Sequence, residues 1–346
     1  MRMCILGAGG LGSVLGGWLS HSGVDVTLVG RQSHVNAIRQ NGLEISGIRG
    51  SLTVSGLTAV TSPEEVDGEF DYVMLAVKAA ATHEMLTAAD CLRDRIGVAF
   101  SVQNTVSKED ELVRWIGRER VIGASTIEGG TLQAPGIVAH TASAPTTAYF
   151  GELDGSSTPR VDDLVEAFNL AGFSTQGVED IYHVEWEKLL QIAVVAGWSA
   201  SIFGALGGSV AQGLVVEEAA QHYVQLATEL LSVYQALGYE PADYYAPFSR
   251  FRDFASWTFE EAVEHMTELG VSMCSQGLYG RPSLHDDLLA GRPTEVEYSL
   301  GRWLKEADGL EIAVPTAVSV YRIVKSLEHW LIELGGITPV LPQSVP

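Results

Sequence analysis

The sequence predicts an α/β protein in which a largely parallel sheet comes first and an all-α domain follows. Two observations support this prediction. Short apolar strands alternate with helical stretches up to about residue 178, and helical periodicity replaces them from residue 180 onward. The length of 346 residues also exceeds the commonest size of a single domain, so two domains are expected.

The first domain begins with two apolar segments, residues 3–6 and 25–29, joined by a helical stretch that starts at Gly10. Two parallel strands and their connecting helix make a βαβ unit. The other elements of this domain are strands at residues 71–77, 98–102, 120–125 and 173–178, a helix at 160–171, and hairpins at 43–60 and 136–151. The first domain therefore spans residues 1–179.

The second domain, residues 180–334, shows no clear strand pattern. Its helices are predicted at residues 181–203, 211–237, 256–277, 283–290, 294–308 and 315–334. The last residues, 335–346, contain three prolines and are predicted to form a loose tail.

The charge and the cysteines argue against several classes of partner. With 43 acidic and 21 basic residues, the net charge of −22 repels nucleic acids and anionic membranes, which leaves a small molecule as the expected partner. Cys4, Cys91 and Cys274 are too widely spaced for a metal site or a disulfide framework. Cys4 is predicted to be a buried core thiol, and the set fits a reducing cytoplasm.

Residues 189–216 contain no charged side chain and are long enough to cross a bilayer. They also hold two glutamines, three serines and five glycines, which favour a buried helix or helix pair over a membrane span. Their apolar surface, like that of residues 315–334, is compatible with a homodimer interface or with the core, and the sequence leaves both open.

The first strand leads directly into GAGGLG, which is a GxGxxG pattern that opens a helix. In this context the pattern predicts a Rossmann-type dinucleotide-binding domain, because glycines permit a tight turn and let the backbone approach a pyrophosphate at the helix N-terminus. The alternative is a glycine-rich turn without a ligand, which fits an N-terminal strand–turn–helix poorly. The predicted cofactor contacts are Gly7, Gly9, Gly10, Leu11 and Gly12.

Two cationic residues follow predicted strands of this domain. Arg31 comes just after the second strand, where an NAD-binding domain would carry a carboxylate, and it suits the 2′-phosphate of NADPH. Lys78 follows the strand at residues 71–77, at the edge where such sheets bind ligands. The alternative for each is an ordinary solvated surface charge.

Hydride transfer to a carbonyl requires a proton donor close to the developing alkoxide. Lys188 is the last charge before the uncharged segment, where burial would lower the pKa of its amine. A polar stretch at residues 281–295 is the other candidate. Its alternative reading is helix capping, with Ser283 and Thr294 as N-cap residues.

The motifs LAVK, VQN, EWEKLL and SLHDDLLAGRPTE, in this order after GAGGLG, resemble the ketopantoate reductase family over about residues 3–325. The resemblance implies a Rossmann domain, a helical domain and NADPH-dependent reduction of a 2-oxo acid. It implies that Lys188 is catalytic, and that Glu295 lies near the nicotinamide ribose and orients Lys188 or the cofactor. It also implies that Ser283 binds substrate, that Asn104 lies near nicotinamide and substrate, and that Lys78 lies near the cofactor.

The sequence departs from the family pattern after Lys188. The family places asparagines four and eight residues further on, on one helical face toward the substrate, and this chain has Ile192 and Ala196 there. We therefore expect these two residues to line a pocket for a more apolar or aromatic carbonyl substrate than ketopantoate. Trp198 is a further candidate for that pocket, with core packing as the alternative.

Four functions remain open on the sequence. They are the ketopantoate reductase of pantothenate biosynthesis, a relative acting on a bulkier carbonyl or alcohol, a neighbouring hydroxyacid or opine-type dehydrogenase, and a non-catalytic NADPH-binding sensor. Retention of Lys188, Ser283 and Glu295 together argues against the sensor, because a sensor needs no proton donor.

Overall fold

The structure, a computed structural model, describes residues 1–142 and 144–333, so the predicted tail at 335–346 lies outside the described residues. The chain forms two compact units. Unit 1 contains residues 1–188 and 244–249, and unit 2 contains residues 189–243 and the chain from 250 onward. They divide within one continuous helix, because Ile181 and Val184 in its first turn pack in the core of unit 1. The domain limits at 179 and 180 stay a prediction.

Among the described residues, unit 1 contains the strands β1 (Arg2–Leu6), β2 (Asp25–Val29), β3 (Leu43–Gly47), β4 (Leu52–Val54), β5 (Thr58–Val60), β6 (Phe70–Leu75), β7 (Ile96–Ser101), β8 (Ile122–Thr126), β9 (Gly129–Ala134), β10 (Ile137–Ala142), β11 (Ala148–Glu152) and β12 (Thr175–Gly177). Its helices are α1 (Gly10–His21), α2 (Gln32–Asn41), α3 (Thr82–Ala88), α4 (Lys108–Ile116), α5 (Pro159–Leu170) and the first part of α6 (Ile181–Phe203).

The main sheet of unit 1 has the order β5-β2-β1-β6-β7, and all of its strand pairs are parallel. β1 lies in the middle and is buried from Met3 to Leu6, as its uninterrupted apolar sequence predicts for a strand covered on both faces. Cys4 is completely buried there, and burial raises the pKa of its thiol to about 12. This parallel sheet is the predicted dinucleotide-binding architecture, with β1, α1 and β2 as the βαβ unit.

Two smaller sheets complete unit 1 and correct the predicted hairpins. β3 and β4 pair as expected, but they join β10 and β9 in a separate sheet. The hairpin predicted at residues 136–151 is wrong: β10 pairs with β9, whereas β11 pairs with β8 and β12. The sequence concealed β9 because it begins with two glycines and its side chains are largely exposed, so it shows no alternation of apolar residues.

In the part of unit 2 that the structure describes, all secondary-structure elements are helices. The helices after the remainder of α6 are α7 (Val210–Leu214), α8 (Glu217–Ala236), α9 (Phe251–Phe254), α10 (Phe259–Ser275), α11 (Ser283–Leu289), α12 (Leu300–Gly309) and α13 (Pro315–Glu328). A π-helical turn at His329–Glu333 follows α13. The helix predicted at 211–237 divides into α7 and α8, whereas the one predicted at 256–277 is the single helix α10. The helix predicted at 294–308 begins only at Leu300.

The uncharged segment forms the second half of α6 together with α7. Trp198 is fully buried, and its indole N–H donates to the backbone oxygen of Ala219 at 2.7 Å. A Cβ atom at Gly197 would lie 2.5 Å from Leu300, so the glycine permits close helix packing. Trp198 is therefore a core residue, which was the alternative to pocket lining. None of the helices described here is long and apolar enough to span a membrane.

Glu229 on α8 caps the N-terminus of α13. Its buried carboxylate accepts hydrogen bonds from the backbone N–H groups of Thr316 and Ala317, at 3.1 and 3.0 Å, in the first turn of α13. A helix N-terminus leaves such N–H groups without partners inside the helix, and a carboxylate also interacts favourably with the helix dipole. Glu229 thus caps α13 in place of a local side chain, since Val314 at the N-cap makes no cap bond.

We expect Glu229→Ala to lower the free energy of unfolding by about 1–3 kcal/mol, because it leaves buried N–H donors without an acceptor. The measurement is thermal and urea denaturation followed by circular dichroism. Glu218→Ala, at an exposed position of the same helix, is the control and should stay within about 0.5 kcal/mol of the parent. Equal stability of the two variants would contradict the capping role.

Candidate active site

The glycine-rich turn lies between β1 and α1, and its glycines are required by close contacts. Gly7 has a φ of 117°, and a Cβ atom there would lie 2.7 Å from the backbone nitrogen of Val77. A Cβ atom on Gly12 would lie 2.2 Å from the backbone oxygen of Gly7. Larger residues at these two positions would therefore push α1 away from the ends of β1 and β6.

The N-terminus of α1 is available to an anion. Its N-cap, Gly9, makes no side-chain cap bond, and no acidic residue lies in the first turn, which includes Leu11 and Gly12. A Cβ atom on Gly9 would meet nothing within 4 Å, so this side of the turn is open. The turn and the helix N-terminus fit the pyrophosphate of a dinucleotide, as the pattern predicts.

β9 lies against the same turn, a contact that the sequence did not reveal. A Cβ atom on Gly10 would lie 2.2 Å from the backbone oxygen of Gly130. In the opposite direction, a Cβ atom on Gly130 would lie 2.5 Å from the backbone of Gly10. Glycine is therefore needed on both partners. The signal that the sequence offers for this contact is the Gly129-Gly130 pair, which lies outside the hairpin predicted at residues 136–151.

Arg31 is exposed at the N-cap of α2, directly beyond β2. Its helix is tied to α1 by His34, which is buried. The backbone N–H of Gly136 donates to His34 Nδ1 at 2.8 Å, so Nε2 carries the proton and donates to Ser13 Oγ at 2.9 Å. Burial lowers the pKa of His34 and keeps it neutral. Sequence reasoning missed His34, which holds in place the helix on which Arg31 lies.

The loops after β6 and β7 are joined by Gln103. Its amide nitrogen donates to the backbone oxygen of Val77 at 2.9 Å and to Thr82 Oγ1 at 2.8 Å. The exposed residue Lys78 directly follows Val77, and Asn104 directly follows Gln103. Both therefore lie at the carboxyl edge of the parallel sheet, where α/β proteins bind their ligands.

Lys188 contacts Asn104, so the structure brings these two predicted site residues together. Lys188 is 6% exposed, and its Nζ donates to Asn104 Oδ1 at 2.8 Å. Asn104 itself is half-buried. The amide oxygen fixes the direction of the amine at the carboxyl edge of the sheet. A lysine held in this way can donate a hydrogen bond and then a proton to an oxygen atom that gains negative charge.

The predicted residues of the polar stretch belong to unit 2. Ser283 is exposed and is the first residue of α11, whose N-cap is Pro282, so the capping alternative is wrong for Ser283. It is also wrong for Thr294, because α12 begins only at Leu300. Thr294 instead binds Glu328 through its backbone N–H at 2.7 Å and through its hydroxyl at 3.1 Å.

Glu295 is half-buried in the turn that precedes α12, and its backbone oxygen accepts from the N–H groups of Tyr298 and Ser299, each at 3.1 Å. Ile192 and Ala196 lie on the part of α6 that belongs to unit 2. Ile192 is half-buried and Ala196 is 3% exposed. The roles of these residues and of Ser283 stay predictions.

A cleft of about 620 Å³ lies at the opposite, amino edge of the main sheet, where Asp71, Asp163 and Glu166 are among its lining residues. Ligands of such sheets bind at the carboxyl edge, so this cleft is not the candidate site. Within residues 1–142 and 144–333, no cluster of three or more His, Cys, Asp or Glu side chains could hold a metal ion.

The sequence matches family models along most of its length. Residues 3–155 match the family described as "Ketopantoate reductase PanE/ApbA", and residues 180–328 match its C-terminal counterpart. A 2-dehydropantoate 2-reductase of Pyrococcus abyssi is 34% identical over 190 residues, which cover 55% of this chain and 60% of that protein. One of Pyrococcus horikoshii is 25% identical over 340 residues, covering 97% of this chain and 99% of the relative.

Solved structures share the fold. A 2-dehydropantoate 2-reductase from Geobacter metallireducens aligns with a TM-score of 0.76 and 24% identity, covering 94% of this chain and 99% of the other. D-mandelate dehydrogenase with NADH and anilino(oxo)acetate aligns with a TM-score of 0.77 and 19% identity, covering 96% and 99%. With the two family matches, the glycine turn and the parallel sheet, the chain belongs to the ketopantoate reductase family of NADP-dependent oxidoreductases.

Proposed function

We propose that this chain reduces a 2-oxo acid to the 2-hydroxy acid with NADPH, and that Lys188 is the proton donor. The observation that carries the proposal is the hydrogen bond from Lys188 Nζ to Asn104 Oδ1 at 2.8 Å, beside the carboxyl edge of the parallel sheet. A buried lysine amine oriented by an amide can supply the proton that carbonyl reduction requires.

When bound, the nicotinamide supplies a hydride to the carbonyl carbon of the substrate. Lys188 donates a hydrogen bond to the carbonyl oxygen, which polarises the C=O bond. As the C=O electron pair moves onto that oxygen, Lys188 transfers a proton to it and the hydroxyl forms. Asn104 keeps the amine in the orientation for this transfer. Glu295 orients Lys188 or the cofactor in this proposal, and Ser283 binds the substrate.

The substrate proposed is more apolar than ketopantoate. The family pattern has asparagines where this chain has Ile192 and Ala196, so a polar substituent of the substrate would lose partners. A protein of the same fold has been solved with anilino(oxo)acetate, an oxo acid that carries an aryl group. An aryl-substituted 2-oxo acid is accordingly the preferred candidate, and ketopantoate itself is the second.

The test is NADPH oxidation by the purified protein with a panel of 2-oxo acids that includes ketopantoate and aryl-substituted members. We expect an apolar member to reach a kcat/KM above about 10⁴ M⁻¹s⁻¹, the lower end for ordinary enzymes. The same efficiency with ketopantoate would refute the role given to Ile192 and Ala196. If no member of the panel is turned over and NADPH still binds tightly, the non-catalytic sensor would be favoured.

Arg31 is proposed to bind the 2′-phosphate of NADPH. We expect Arg31→Ala to raise the KM for NADPH by about 10- to 100-fold, because hydrogen bonds to charged groups contribute about 1.5–3 kcal/mol each. The KM for NADH should stay unchanged, since NADH lacks that phosphate. Steady-state kinetics with both cofactors measure the ratio of the KM for NADPH to the KM for NADH. The exposed Arg93→Ala variant is the control. An unchanged ratio would make Arg31 a solvated surface charge.

A further inference from the structure

Unit 1 contains a buried ion triad that the proposed reaction does not use. Lys108 and Glu109 begin α4, and Glu185 lies on α6. Lys108 Nζ is 2.7 Å from Glu185 Oε1 and 3.1 Å from Glu109 Oε1, and each of the three side chains is only 2% exposed. Transferring three charged groups from water to a protein interior is unfavourable unless they pair closely. A triad so deeply buried therefore calls for a role beyond stability.

The triad lies beside the Lys188–Asn104 contact and joins the same two segments. Asn104 precedes Lys108 by four residues, and Glu185 precedes Lys188 by three, which is one helical turn. In one contact, Lys188 of α6 donates a hydrogen bond to Asn104; in the other, Glu185 of α6 forms an ion pair with Lys108. Two contacts one turn apart restrain α6 against the segment that follows β7, which runs from Asn104 into the first residue of α4, more than one contact would.

Burial and the neighbouring charges shift the pKa of each member of the triad. Burial raises the pKa of Glu109 well above its usual value, and the neighbouring Glu185 raises it further. Burial also raises the pKa of Glu185, but the attraction of Lys108 opposes this effect. Burial acts against the charge on Lys108, yet the two carboxylates outweigh it and raise the pKa of the amine. Lys108 Nζ lies closer to Glu185 than to Glu109, so Lys108 and Glu185 form the closer ion pair of the triad.

Besides Glu187, a buried carboxylate near Tyr245, several titratable groups of unit 1 surround Glu185. Tyr182 on α6 and Tyr245 of the segment 244–249 face it, and burial raises the pKa of both phenols, so both stay protonated. Arg118 lies near Tyr182. Lys188 attracts the Glu185 carboxylate from one turn further along α6. The carboxylate of Glu185 in turn stabilises the charged form of Lys188.

We propose that Lys108 and Glu185 are positioning residues for Lys188: they align its amine with Asn104 and keep that amine protonated. This inference rests on the proposed function, in which Lys188 must carry the proton that it donates. The Glu185 carboxylate acts through its charge, and Lys108 acts by holding that carboxylate in place. A purely structural triad would contribute to stability and leave the titration of Lys188 unchanged.

The titration of Lys188 can be measured without a substrate. The chain has only five lysines, so labelling them with ¹³C at Cε gives few signals, and Lys188→Arg identifies the one that belongs to Lys188. We expect Glu185→Gln to lower the pKa of Lys188 by about one pH unit or more, because removal of a nearby carboxylate disfavours the ammonium form. Glu229→Gln, the same substitution at a buried carboxylate of unit 2, should leave that pKa unchanged.

A second variant keeps the test decisive if Glu185→Gln does not fold. In Lys108→Met/Glu185→Leu both members of the charged pair become apolar, a change that buried ion pairs often tolerate. We expect this variant to fold and to show the same fall in the pKa of Lys188. An unchanged pKa of Lys188 in either folded variant overturns the inference.

Kinetics with the 2-oxo acid that the parent protein turns over supply the second readout. In the Glu185 variants the alkaline limb of the kcat profile should move to lower pH by the amount measured for Lys188, with little change in the KM for NADPH. If Lys188→Ala retains turnover, the proposed function fails, whereas the NMR result still decides whether Glu185 controls the amine. The two failures are therefore distinguishable.

Discussion

Replacing Lys188 with alanine is expected to lower kcat by about 10²- to 10⁴-fold, the range that general acid catalysis contributes. The reason is chemical: the variant has no group to protonate the oxygen as it gains negative charge. The Kd for NADPH should stay within about threefold of the parent value, a change below 1 kcal/mol. The predicted cofactor contacts are the glycine turn, Arg31, Lys78, Asn104 and Glu295. Lys188 is not among them, and it hydrogen-bonds Asn104.

Two matched variants define what that loss means. Lys188→Arg keeps a positive charge but cannot release a proton readily, because a guanidinium stays protonated in proteins. If Lys188 donates a proton, we expect the arginine variant to be slow as well; recovery of turnover would show that charge alone is sufficient. Lys305→Ala removes an exposed lysine on α12 and should leave kcat unchanged. Turnover by Lys188→Ala close to that of the parent would refute the mechanism.

The parts of the fold that the sequence predicted correctly depend on local patterns. The β1–α1–β2 unit follows from two apolar runs around GAGGLG, and α6 from a long helical periodicity that begins at Ile181. Both elements are determined by residues that lie close to one another in the sequence. The family resemblance added Lys188 and Asn104, and the structure places their side chains 2.8 Å apart although they are 84 residues apart in the chain.

The parts that the sequence did not predict depend on distant contacts. β9 is defined by its pairing with β10 and by its contact with the glycine turn, and its own residues show no strand period. α12 begins at Leu300 rather than at Thr294, because Thr294 is held by Glu328 from α13. The partners of Lys108 could not be read from a sequence in which Lys108 and Glu185 are 77 positions apart.

Asparagine at positions 192 and 196, where the chain departs from the family pattern, is expected to change the substrate preference. We expect Ile192→Asn/Ala196→Asn to raise kcat/KM for ketopantoate by about 10- to 100-fold, because each unpaired polar group in a buried site costs about 1–3 kcal/mol. The same variant should lose efficiency with an aryl-substituted 2-oxo acid, since amide groups replace apolar surface. Competition between the two substrates in one reaction measures the ratio directly.

The change also has a cost in stability that must be separated from specificity. Ala196 is 3% exposed, so an amide there is buried and is destabilising wherever it finds no partner. Ala193→Asn is the matched control: Ala193 is fully buried on the same helix, and it lies about 140° around the helix from Lys188. It should lower Tm without changing the substrate ratio. If the ratio stays the same in the double variant as in this control, the pocket does not include Ile192 and Ala196, and the substrate must be recognised by other residues.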